Sequence, residues 1–87
     1  MLIGPRVKRV RKLALISTRE LDRLAGLAEG HAWAIEVGRR PNIESRTTIA
    51  LAGVLGVSLD WLITGTGDPP TAESVRAAVE RARAKAA

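Results

Sequence analysis

Four glycines cut the chain before any element can grow long. Gly26, Gly38, Gly56 and Gly65 each follow a short stretch whose apolar residues recur at helical spacing. Glycine is the residue that best tolerates the left-handed turn after a helix. Starts are marked as well. Gly4-Pro5 opens a first helix, because proline at the first helical position loses only an N–H that has no partner there. Ser17-Thr18-Arg19-Glu20 reads as a capping box, with the Ser17 hydroxyl accepting from the Glu20 N–H and the Glu20 carboxylate reaching back to the Ser17 N–H. Ser45, Ser58 and Thr71 stand where caps of three further helices are expected. No segment alternates with period two, so the chain reads as all-α.

The apolar positions assign the core. Ile3, Val7, Val10 and Leu13 face inward from helix one, which leaves its Arg and Lys side chains outward, and Leu21, Leu24 and Ala25 face inward from helix two. Helix three is expected over residues 29–37 with Ala32 and Ile35 inward, which places Gly30 inside it at a cost of about 1 kcal/mol relative to alanine. Ile49, Ala52 and Leu55 are the expected inward set of helix four. In helix five these are Leu59, Leu62 and Trp61, the last as core or subunit contact, with Asp60 complementing the helix dipole. Residues 65–70 form a breaker-rich linker. The alanine-rich segment beyond carries a narrow stripe of Val75, Ala78, Val79, Ala82 and Ala86, and an Arg76–Glu80 ion pair is expected on its surface. Such a helix packs on the body, forms a subunit interface or frays. The division expected is residues 1–66 as the main domain and 67–87 as linker and C-terminal helix.

Composition removes several classes of function. With 87 residues, no cysteine and a single histidine, His31, the chain has no disulfide frame, no thiolate zinc site and little material for a metal cage. No nucleophile stands with a base, no glycine-rich phosphate loop is present, and neither enzyme activity nor a cofactor is expected. The longest apolar run, residues 49–57, is too short and glycine-rich to cross a bilayer, and the order of the N-terminal residues reverses that of a secretory signal, so a cytoplasmic location without membrane contact is expected. The net charge of +5 suggests a polyanionic partner. With neither Phe nor Tyr, stacking on single-stranded bases is disfavoured. The charge is uneven. Arg6, Lys8, Arg9, Arg11, Lys12 and Arg19 precede any acid, whereas residues 20–36 set Glu20, Asp22, Glu29 and Glu36 against Arg23 alone.

The order of these signals resembles one family. Ser17-Thr18-Arg19-Glu20-Leu21, Leu24-Ala25-Gly26, Ile35-Glu36-Val37-Gly38-Arg39-Arg40 and Leu55-Gly56-Val57-Ser58-Leu59-Asp60-Trp61-Leu62 are similar to the lambda-repressor/Cro (xenobiotic-response-element) type of helix-turn-helix DNA-binding domain, over about residues 3–65. The resemblance implies a five-helix repressor-like domain followed by one extra C-terminal helix. It implies a transcriptional regulator that binds double-stranded DNA, as a homodimer on an inverted repeat, since one short helix reads few base pairs. By position, Glu29, Gly30, His31, Trp33 and Ala34 fall where that family reads base edges, and Thr18, Arg19, Arg39, Arg40 and Asn42 where it meets phosphates. Leu15 stands where the family usually has a glycine, and Ala28 where it usually has the Ser or Thr that caps helix three.

A second reading comes from another class. Trp33, if outward, is either a DNA contact or an apolar patch for a protein partner, and a rolled helix three would bury it instead. The acids of residues 20–36 favour a protein-interaction module or antitoxin-like partner on the same scaffold, with weak or no DNA binding.

Overall fold

The computed structural model describes residues 3–40 and 43–86. It is all-helical, with α1 (Ile3–Leu13), α2 (Thr18–Ala25), α3 (His31–Glu36), α4 (Ser45–Leu55), α5 (Leu59–Thr64) and α6 (Ala72–Ala86), and without strands among the described residues. None of these helices is long and apolar enough to cross a membrane. One core joins all six. Val7, Val10, Leu21, Ile35, Leu51, Leu55, Leu62, Val75 and Val79 are fully buried in it. Trp61 is a core residue. The last helix therefore packs on the body, and α4 lies against both α2 and α6.

Local signals decide most helix ends. The Ser17 hydroxyl accepts from the Glu20 N–H at 3.0 Å and that of Ser58 from the Trp61 N–H at 3.1 Å. Thr71 and Ser74 cap each other reciprocally. At the other ends, Leu27 N–H donates to Asp22 O, Arg39 N–H to Ala34 O and Val57 N–H to Ala52 O, each after a glycine in the left-handed region. Helix α1 closes the same way, with Ile16 N–H donating to Arg11 O. There the left-handed position is held by Leu15, at φ +61°, with its side chain 75% exposed. Gly4 meets a different need. A Cβ there would collide with Ile35 O of α3, so glycine lets α1 and α3 approach backbone to backbone.

Several expectations are corrected. The Glu20 carboxylate does not return to Ser17; it accepts from Arg83 at 2.9 and 3.0 Å and so ties α6 to α2. Arg76 does not pair with Glu80 but donates to Leu13 O at 2.9 Å, while Glu80 takes Arg83. Two cations of α1 are not outward: Arg6 donates to Leu62 O and Ile63 O at the end of α5, and Arg11 is engaged with Glu36 and Ile16 O. Ser45 is the first residue of α4 and not its cap, because the Glu44 carbonyl already accepts from Thr48 N–H. Ile49 is 57% exposed, since α4 turns other residues, Thr47, Thr48, Leu51, Ala52, Val54 and Leu55, toward its neighbours. Leu59 is exposed at the first turn of α5, and Ala86 at the end of α6.

The left-handed backbone at Leu15 costs an L-residue about 1–2 kcal/mol, more than the roughly 0.5–1 kcal/mol of extra chain entropy that glycine carries. Leu15→Gly is thus expected to stabilise the protein by up to about 1 kcal/mol, read as a higher urea midpoint at unchanged slope. The Arg83 guanidinium hydrogen-bonded to Glu20 holds its carboxyl below the ordinary value of 4.5, against a smaller opposing effect of burial. A lowered folded value means that the stabilisation is present above 4.5 and is lost as the pH falls through the lowered value. Between pH 5 and 3 the wild type is expected to lose stability more steeply than Arg83→Gln in urea titrations.

Candidate nucleic-acid interface

The segment from α2 through α3 is held by a buried carboxylate that belongs to neither end of α3. Asp22, on α2, is 3% exposed and accepts from the Gly30 N–H at 2.9 Å and the Ala32 N–H at 2.7 Å. It acts as an N-cap supplied by another helix, which explains why Ala28 suffices in the connection. Gly30 lies before α3 with φ +89°, a conformation no helix interior permits, so α3 begins at His31 and not at Glu29. The expected penalty for a glycine inside α3 therefore does not arise. Both Glu29 and Gly30 are exposed loop residues leading into the helix.

From the other side α3 is gripped by Arg11. Its guanidinium meets Glu36 in a two-pronged contact at 2.7 and 3.0 Å and donates its third bond to Ile16 O at 2.9 Å. The Glu36 side chain is 4% exposed. A forked pair this buried orients α1, α3 and the α1–α2 connection together. With Ala32 and Ile35 packed inward, Trp33 and Val37 stand outward, each about half exposed, and His31 and Ala34 are half-buried. The rolled arrangement in which α3 buries Trp33 is not adopted.

Two contacts bring expected site residues together. The Arg39 guanidinium lies over the Trp33 ring, 5.1 Å from its centroid. Arg19, in the first turn of α2, reaches Glu29 at 3.2 Å, with both side chains largely in solvent. A pair that exposed contributes at most about 1 kcal/mol and exchanges readily for another partner. Thr18 is half-buried at the start of α2 and Arg40 is exposed. Asn42 lies outside the described residues.

The electrostatics differ from what the sequence suggests. Of the four acids in residues 20–36, Asp22 caps α3, Glu36 is locked to Arg11, and Glu20 is tied to Arg83 with Arg23 at 3.4 Å. Only Glu29 remains exposed. Three of these acids thus have partners within the fold. Sequence reasoning misses Asp22, Arg11 and Glu36 as structural groups. The one available signal is an aspartate beside inward Leu21, ahead of a short helix that lacks a cap of its own. No protein-family model, curated protein or solved structure matches the chain.

Removing the Asp22 carboxylate leaves two N–H groups at the start of α3 without their acceptor, a loss of about 1–3 kcal/mol. Asp22→Ala is expected to show that loss in urea denaturation together with faster exchange of the Ala32 amide. Asp22→Asn, which keeps one carbonyl oxygen, is expected to lose less.

Proposed function

We propose that the protein is a helix-turn-helix regulator of the lambda-repressor/Cro type that binds double-stranded DNA in a sequence-selective manner. In this reading α2 lies across the phosphate backbone and α3 enters the major groove. The observation that carries it is the fate of the acids. With Glu20, Asp22 and Glu36 engaged internally, the surface between Arg19 and Arg40 presents exposed Arg19, Arg23, Arg39 and Arg40 against one exposed acid, Glu29.

The site residues then divide by role. Arg19, with Thr18 at the start of α2, and Arg39 and Arg40 after α3 meet phosphates; on binding, Arg19 exchanges the weak Glu29 partner for a phosphate oxygen. Asn42 belongs to the same set by sequence position. His31, Trp33 and Ala34 face base edges from α3, with Glu29 and Gly30 at its entry. Trp33 lies against a thymine methyl, and Glu29 accepts from a cytosine amino group and rejects sequences that present only acceptors. A homodimer on an inverted repeat follows from the short reach of α3, whose six residues span few base pairs.

A second reading rests on one observation: Trp33 on α3 and Val37 just after it are both about half exposed. That pair can seat a protein partner on the same scaffold, as in an antitoxin-like protein.

Selection from a randomised duplex library at near-physiological salt tests the first reading against the second. An enriched inverted repeat is expected; no retention of any duplex would move the weight to the protein partner. With the selected site, Arg39→Ala combined with Arg40→Ala is expected to weaken binding to all duplexes and to flatten the log–log salt dependence by about 0.9 for each phosphate that the variant no longer neutralises. Trp33→Ala is expected to change which sequence is preferred.

A further inference from the structure

A second surface lies away from the α3 residues and arginines proposed to meet DNA. A groove of about 520 Å³ runs between α2, α4 and α6, and it contains none of the residues assigned above to DNA. It is lined by half-buried Leu24, Ala25, Ala50 and Ala82 and by exposed Gly53, with the core residue Val54 beneath them. The charged side chains along it are Arg81 and Lys85, one turn apart on α6. Neither makes an ion pair among the described residues.

Gly53 stands out within the groove. It sits inside α4, has no positive φ, is exposed, and a Cβ added there would meet nothing within 4 Å. Glycine in a helix interior costs stability relative to alanine, and neither backbone conformation nor crowding within the chain requires it here. What its lack of a side chain does is deepen the groove, so that an incoming backbone can come close. One turn earlier on the same helix, exposed Ile49 extends the apolar surface.

We propose that this groove docks an amphipathic helix of a partner protein that carries aliphatic anchors on one face and acidic residues along its flanks. The aliphatic side chains pack against Leu24, Ala25 and Ala50, the partner backbone passes over Gly53, and its carboxylates meet Arg81 and Lys85. Charge decides against a second copy of this chain as occupant. Two grooves face to face bring four unpaired cations together, whereas an acidic flank neutralises both on each side. Docking here leaves the α2–α3 surface open and does not depend on its proposed role.

The test is a display library of amphipathic helices with leucine on one face and Glu, Lys or Gln at every flanking position, selected on the full chain. Enrichment of Glu at the flanks is expected. Amide shift changes should centre on Ala50, Gly53 and Ala82, and affinity should fall at least tenfold in Gly53→Leu and in Arg81→Glu combined with Lys85→Glu. Trp33→Ala should leave it unchanged. Gly53→Ala separates docking from folding: it is expected to raise the urea midpoint of the free protein while weakening the peptide several-fold. No enrichment, enrichment of Lys, shift changes centred elsewhere, or self-association abolished by Gly53→Leu would each overturn the proposal. Since none of these readouts involves DNA, its failure is distinct from a failure of the duplex-binding reading.

Discussion

The arrangement of α3 depends on one buried carboxylate. A six-residue helix has almost no stability of its own, because most of its N–H and C=O groups lie at its ends and the cost of nucleation is spread over few bonds. Asp22 supplies acceptors to the first of those N–H groups from a neighbouring, better-formed helix, and so sets both where α3 starts and how it is inclined to α2. Arg11 and Glu36 secure the other end against α1, where Gly4 permits close approach to the backbone at Ile35. Held at both ends, α3 projects Trp33 and Val37 into solvent without burying them for support. That is the property a reading helix needs, and the proposed DNA contacts rest on it.

The same internal pairing governs charge. A chain with +5 overall and a run of acids at its middle suggests two opposed surfaces, one basic and one acidic. Folding removes the contrast by engaging the acids internally, in a cap, in a buried fork and in the tie between α2 and α6. Cations are engaged too, for Arg6 closes α5 and Arg76 reaches the end of α1. Between residues 19 and 40, what remains exposed is Arg19, Arg23, Arg39 and Arg40 against Glu29. Helix α6, which has the composition of a weakly amphipathic tail, is held to the body by Val75 and Val79 in the core and by Arg83 at the surface. It thereby forms one wall of the α2–α4–α6 groove.

The all-helical class, most helix ends and most of the core were legible in the residues. Ser17, Ser58 and Thr71 cap as their positions suggest, and Gly26, Gly38 and Gly56 stop helices in the left-handed conformation. Leu15 shows that the stop is a property of the position and not only of glycine. The failures share a cause. Ile49 and Leu59 have helical spacing that fits an inward face, but which stripe is buried depends on how many neighbours a helix meets, and α4 meets several. Local spacing alone places Glu29 and Gly30 inside α3, because the cap that starts this helix comes from Asp22, eight and ten residues away from the amides it accepts from.

The sequence by itself determined the helical class, the order of the helices and most of their ends, because a cap or a glycine turn is settled by bonds spanning three to five residues. Tertiary structure alone decided the partners of the charges: Arg11 finds Glu36 across 25 residues and Arg83 finds Glu20 across 63. A long charged side chain has many partners within reach in an unfolded chain, and only the packing of the apolar faces selects one. The character of the exposed surface is what the charges leave once those pairings are made, and it is therefore a property of the fold.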